Sequence, residues 1–259
     1  TTWTISSMVR IPHSPGSMRT GARRCAPPSS ESAPATPHPA CVRRIDRPRV
    51  QPYHQAVVTD RGTAQEVAAR LAEVRQRIGA AAVRAGRRPE EVLLVAVTKT
   101  VPARIVSAAM AAGQRVFGEN RVQEALAKAE ACCPGAVWHL IGHLQGNKAK
   151  PAARLFAVVE SIDSAGLAVA LDRHAREAGR RLRVLVQVKL GDETTKSGVP
   201  PEEAPALIEA VSRLPSLEIA GLMAIPPQSA TPEGSRRWFA LLRELRARDV
   251  AGAVDGDER

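Results

Sequence analysis

The chain has 259 residues, 44% hydrophobic and 24% charged, the balance of an ordinary globular protein with enough apolar side chain for a sizeable core. At about one and a half times the ~150-residue span of a common domain, it suits one large domain with a tail better than two full domains. No run approaches the ~18 to 20 apolar residues that a membrane-spanning helix needs, while a net charge of +11 raises a polyanion as a partner.

The distribution of that charge weakens the polyanion reading. Residues 1–59 hold eight Arg against Glu31 and Asp46, and so carry +6 of the +11. They also hold nine of the 20 prolines and show neither the helical nor the strand period, which predicts a disordered basic leader. The leader lacks the aromatic interleaving that reads bases, so no specific nucleic-acid contact is expected of it. Two other readings stay open: an organelle transit segment, which would also be rich in Arg and Ser and poor in acids, and upstream sequence read through before a start near Val57 or Val58. Cys25, Cys41, Cys132 and Cys133 lack CxxC or zinc-ligand spacing, which favours a reducing, cytoplasmic setting.

From Thr63 the text becomes periodic. AQEVAARLAEVRQRIGAAAVRAG predicts a helix with Thr63 as cap and Gly86 as stop. Short apolar runs then alternate with amphipathic segments: EVLLVAVT, ARIVSAAMAAG, QRVFG, NRVQEALAKAEA, AVWHLIG, NKAKPAARL. The pattern continues as FAVVESI, GLAVALDRHAREAG, RLRVLVQVKL, PEEAPALIEAVSRL, LEIAGLMAI and PEGSRRWFALLRELRARD. Runs apolar on both faces, separated by helices, predict a parallel sheet in an α/β body over residues 60–259. Six strand-helix units behind one helix fit either an open doubly wound sheet or most of an eight-unit barrel, and periodicity does not separate the two.

Both architectures bind ligands beyond the carboxyl ends of the strands, so the residues after each apolar run carry the functional expectations. Lys99 follows VLLVAVT. A lysine at the end of a strand buried on both faces would be desolvated, which favours a neutral amine for carbonyl chemistry; the competing reading is a strand-end lysine that reaches solvent along its stem. His139 and His143 straddle a strand end and a glycine turn, with no carboxylate after the first, so loop or core histidines are expected rather than zinc ligands. No glycine sits in a GxGxxG or GxxxxGK[ST] frame, which disfavours nucleotide binding by those routes. GDETTKSG reads equally as an anion-binding turn through Lys196 and Ser197 or as a solvated loop. Met223 reads as core packing, and Cys132 with Cys133 as buried or idle thiols.

Taken together, VAVTKTVPA, FGENRVQE, WHLIGHLQGNK, DETTKSGV and GLMAIPP, in that order, resemble the pyridoxal 5′-phosphate homeostasis protein family, also called the proline synthase co-transcribed family, over residues of about 60 to 245. The resemblance implies a (β/α)8 TIM-type barrel similar to the N-terminal domain of alanine racemase, the third fold type of pyridoxal phosphate proteins. It implies pyridoxal 5′-phosphate (PLP) as cofactor, held as a Schiff base on Lys99. By the same motifs, Asn120 and Met223 are implied as cofactor-pocket residues, with His139 and Ser197 near the mouth.

The resemblance further implies a cytoplasmic, monomeric, non-catalytic protein of vitamin B6 and amino-acid homeostasis, with apo PLP-dependent enzymes as acceptors and no membrane partner. The alternative is a racemase-like enzyme. Racemisation needs two acid/base groups on opposite faces of the carbanion, and the only tyrosine here is Tyr53 in the leader. Family members continue past the last helix into two more strands that hold the phosphate. This chain ends in RARDVAGAVDGDER, so a barrel truncated to about six units, with weak cofactor retention and poor solubility, is expected.

Overall fold

A computed structural model describes residues 63–191, 197–227 and 232–250. The leader, with Tyr53, lies outside the described residues. So do Asp192, Thr194, Thr195 and Lys196 of the GDETTKSG turn and the last nine residues.

Helix α1, Ala64–Arg84, begins and ends through contacts local to its own ends. Thr63 Oγ1 accepts the Glu66 N–H, and Glu66 Oε2 accepts the Thr63 N–H at 2.9 Å. Two otherwise orphaned donors are thereby satisfied reciprocally. Past the last turn Gly86 adopts φ +67°, a left-handed exit that glycine takes without steric cost.

Six strand-helix units follow: β1 Ala96–Val97, α2 Ala103–Ala111, β2 Val116–Glu119, α3 Val122–Cys132, β3 Val137–Leu140 and α4 Ala149–Leu155, then β4 Val158–Ile162, α5 Ala165–Glu177, β5 Leu182–Gln187, α6 Ala204–Ser212, β6 Leu217–Met223 and α7 Pro232–Leu245. A single π-helical turn, Arg246–Val250, extends α7. None of the helices among the described residues is long and apolar enough to cross a membrane. The apolar run EVLLVAVT yields only a two-residue strand, which among the described strands pairs with β2 alone.

Strand order settles the architecture that periodicity left open. Each strand pairs in parallel with the next one in sequence, in the order β1-β2-β3-β4-β5-β6. A doubly wound sheet reverses that order at a switch point and carries helices on both faces. Here the order never reverses, so right-handed crossovers set every intervening helix on one face. The result is six successive units of a barrel wall.

The two faces of the sheet differ accordingly. Phe117, Leu140, Val159, Val184 and Val186 join the large core beneath the helices, together with Val106 of α2 and Ala125 of α3. On the other face Val158, Leu185 and Met223 form a small separate cluster, flanked by Leu93, Ala157 and Ala220. That alternation along β5, with Val184 and Val186 outward and Leu185 inward, is the period-two pattern of a wall buried on both sides.

Candidate functional site

The rim at the carboxyl ends of the strands is assembled by backbone register. Val97 pairs with Gly118, and the Thr98 N–H donates to Gly118 O at 2.9 Å, so Lys99 and Asn120 follow the ends of two neighbouring strands. The next exit packs directly on this one. A Cβ added at Gly142 would lie 2.6 Å from Asn120 O and 2.7 Å from its Cα. Only glycine allows the loop after β3 to touch the backbone after β2.

At the exit of β5 the chain folds back on itself. Lys189 N–H donates to Val199 O at 2.8 Å, and Val199 N–H donates to Gln187 O at 2.9 Å. Gln187 Nε2 donates to the carbonyl of Ser197 at 2.9 Å. Gly198 has φ +122°, and a Cβ there would meet Lys189 N at 2.9 Å. Ser197 is therefore tied to the strand end through its main chain.

Two buried polar pairs lie below the rim. His139 Nδ1 is 2.7 Å from Glu160 Oε1, with both side chains almost wholly buried. Behind β2, Glu119 Oε1 receives Lys128 Nζ of α3 at 2.5 Å and Thr98 Oγ1 at 2.6 Å. Lys128 Nζ also donates to Thr98 O at 2.6 Å. On the rim itself His143 Nδ1 is 2.9 Å from Asp163 Oδ2, which fixes the ring of an exposed histidine from the neighbouring strand exit.

The expected site residues thus divide. Lys99 and Asn120 stand just past the ends of the neighbouring strands β1 and β2, and Met223 is buried at the end of β6, within the inner-face cluster. One expectation is corrected. Lys99 is exposed, because it stands in a turn two residues beyond the end of β1 rather than inside the sheet, so the burial behind the desolvation argument is absent. His139 is 2% exposed, a histidine in the interior of β3 that faces Glu160. Lys196 falls outside the described residues.

Sequence reasoning passed over Lys128 and Glu124 of α3. The signal was present: Val122, Ala125 and Lys128 recur at three-residue spacing and are all buried. A lysine on the apolar stripe of a helix needs a buried partner.

We expect Gly142→Ala to force the Asn120 backbone aside and to destabilise the fold by about 1–3 kcal/mol, the usual cost of overpacking. Thermal unfolding should show a midpoint lower by roughly 2–10 °C; an unchanged midpoint would mean that the loop after β3 is free to move away.

Comparison with known proteins places these features in context. The family model described as alanine racemase, N-terminal domain, matches residues 67–254. A Pseudomonas aeruginosa protein named pyridoxal phosphate homeostasis protein is 46% identical over 180 residues, covering 69% of this chain and 78% of the relative. A protein of the same name from Escherichia coli strain K12 is 44% identical over 185 residues, covering 70% and 77%. Among solved structures, PipY of Synechococcus elongatus with PLP bound superposes with a TM-score of 0.61 at 38% identity, over 72% of this chain and 83% of that one. An alanine racemase of Clostridium difficile 630 gives a TM-score of 0.50 at 14% identity, over 61% and 42%, a likeness of fold alone.

Proposed function

The chain belongs to the alanine racemase N-terminal domain family and, within it, to the pyridoxal phosphate homeostasis proteins, and on that premise we propose that it binds PLP reversibly through the ε-amine of Lys99, in the service of vitamin B6 homeostasis and without substrate turnover. The observation that carries the reading is the exposed Lys99 at the exit of β1, on a sheet whose strands follow one another without reversal and whose next strand, β2, leads into Asn120.

The residues present suit such a cofactor. PLP supplies an aldehyde that condenses with an amine and releases water, reversibly. Lys99 offers the amine at a solvent-open rim, where a cofactor can arrive and leave. Asn120 is braced by the close approach of Gly142 and carries an amide on the strand exit next to that of Lys99. Met223 closes the inner wall beneath with apolar surface, against which a flat aromatic ring packs well. Ser197, its main chain pinned by Gln187, offers a hydroxyl to an anionic group. Gln187 Oε1 is a buried acceptor that no donor among the described residues satisfies, a polar atom left over on the inner face.

A reversible link suits a protein that stores the aldehyde and releases it to apo-enzymes whose own lysines take it up. The names of the curated relatives, which denote homeostasis proteins rather than enzymes, support this over the racemase alternative.

The test is to mix the full chain with PLP, reduce with borohydride and locate the modified peptide by mass spectrometry. The chain has six lysines, so a label concentrated on Lys99 and lost in Lys99→Ala is the expected result. A label spread over Lys148, Lys150 and Lys189 as readily as over Lys99 would refute it.

A further inference from the structure

Lys99 stands in a turn that the backbone does not favour. Val101 N–H donates to Thr98 O at 2.9 Å, closing a four-residue turn with Lys99 second and Thr100 third. Thr100 has φ +61°, the only non-glycine residue with positive φ among those described. A third turn position in that region normally goes to Gly or Asn, and a β-branched residue there is strained. Such strain persists only where the surroundings over-determine it.

Those surroundings are one face of α3 and the end of β2. Lys128 Nζ donates to Thr98 O, on the N-terminal side of Lys99, at 2.6 Å. One helical turn earlier, Glu124 Oε2 accepts the Thr100 N–H, on the C-terminal side, at 3.4 Å. Glu119 Oε1 holds both Lys128 Nζ and Thr98 Oγ1, and so locks the donor to the strand. Residues four apart on a helix share a face, which is why Glu124 and Lys128 reach the two flanks of a single turn. The Lys128–Glu119 pair is almost fully buried. A buried pair of that kind contributes little net stability because desolvation offsets its attraction, so a specific geometric role accounts better for its presence.

We propose that Glu119, Glu124 and Lys128 are positioning residues, which hold the strained Thr98–Val101 turn so that the Lys99 amine is aimed at the incoming aldehyde. The inference rests on the reading of Lys99 as the attachment residue and adds how that residue is aimed. In attachment the neutral lysine nitrogen adds to the aldehyde carbon, its two hydrogens pass to the aldehyde oxygen, which leaves as water, and a carbon–nitrogen double bond forms. Positioning acts on that step alone. A pocket ligand without the aldehyde does not use it.

Two variants of the full chain test this: Glu124→Ala, at the half-buried surface of α3, and the double variant Lys128→Met with Glu119→Gln, which leaves no unpaired buried charge. Each is titrated with PLP, followed by the absorbance of the lysine-linked cofactor, and separately with 4-deoxypyridoxine 5′-phosphate, which has a methyl group in place of the aldehyde, followed by calorimetry. Covalent attachment should weaken about tenfold in each variant, the equivalent of releasing the backbone of one residue, while affinity for the deoxy analogue stays at the wild-type value. Attachment at the wild-type level in both variants overturns the proposal. So does a parallel loss of both ligands, which would mark a merely structural role. If the wild-type chain takes no label on Lys99, the underlying reading fails and this one with it; a labelled wild type beside unaffected variants removes the positioning role only. Should the double variant not fold, Glu124→Ala decides.

Discussion

Lys128→Met alone should destabilise the protein by about 3–5 kcal/mol, because it strands a carboxylate in the layer between sheet and helices. Glu119 is 0% exposed, and its second oxygen, Oε2, has no hydrogen-bond partner among the described residues. Among the described residues, removing Lys128 would leave Thr98 Oγ1 as the one remaining donor to that side chain. The double change Lys128→Met with Glu119→Gln should recover most of the loss, since exchanging both members of a buried pair for neutral groups is far less costly than orphaning one. Urea unfolding of the two variants side by side gives the comparison. A single variant as stable as the wild type would show that water reaches Glu119 and that the layer is not closed.

An effect of similar size is expected at the centre of the helix-covered core. Phe117 of β2 is 0% exposed, and its ring centroid lies 5.6 Å from that of Trp138 on β3, the rings tilted by 39°. Phe117→Ala should cost about 3–5 kcal/mol, from lost apolar burial and from the cavity left beside Trp138. It should lower the thermal midpoint by roughly 10 °C. Phe117→Leu should cost much less, because the space stays mostly filled. Equal losses in both variants would mean that the aromatic contact, not the volume, is what matters at this position.

The Lys128 result bears on function as well as on stability. The same nitrogen that neutralises Glu119 also grips the carbonyl before Lys99. A charge that looks like a misplaced surface lysine on the apolar stripe of α3 is thus a tie between that helix and the rim.

Much of the local structure is legible without coordinates. Thr63 and Gly86 are readable as cap and stop because each acts on backbone groups within a few residues of itself. The six strand-helix alternations are readable because a helix and a two-sided strand impress different apolar periods on the chain. β1 is less so: EVLLVAVT reads as a full strand, yet only Ala96–Val97 pair, since pairing depends on a neighbour and not on the apolar run.

The site divides along the same line. Lys99 and Asn120 stand out from the sequence because residues after apolar runs reach the ligand-binding edge in any parallel α/β fold, and the motifs around them resemble a known family. The partner of His139 is not readable: Glu160 lies 21 residues away and is brought to it only by the pairing of β3 with β4. Nor is the grip on Lys99, where Glu124 and Lys128 lie 24 residues beyond Thr100 and 30 beyond Thr98.

What the sequence determines by itself is therefore whatever acts over a few residues or one helical turn: caps, periods, the alternation of elements and the motifs at strand ends. The tertiary structure alone decides that the strands follow one another without reversal, that Lys99 stands exposed on a strained turn, and that a helix reaches back to hold it. Strand order and buried pairings are set by which distant surfaces meet, and a local period has the same form whichever neighbour it meets.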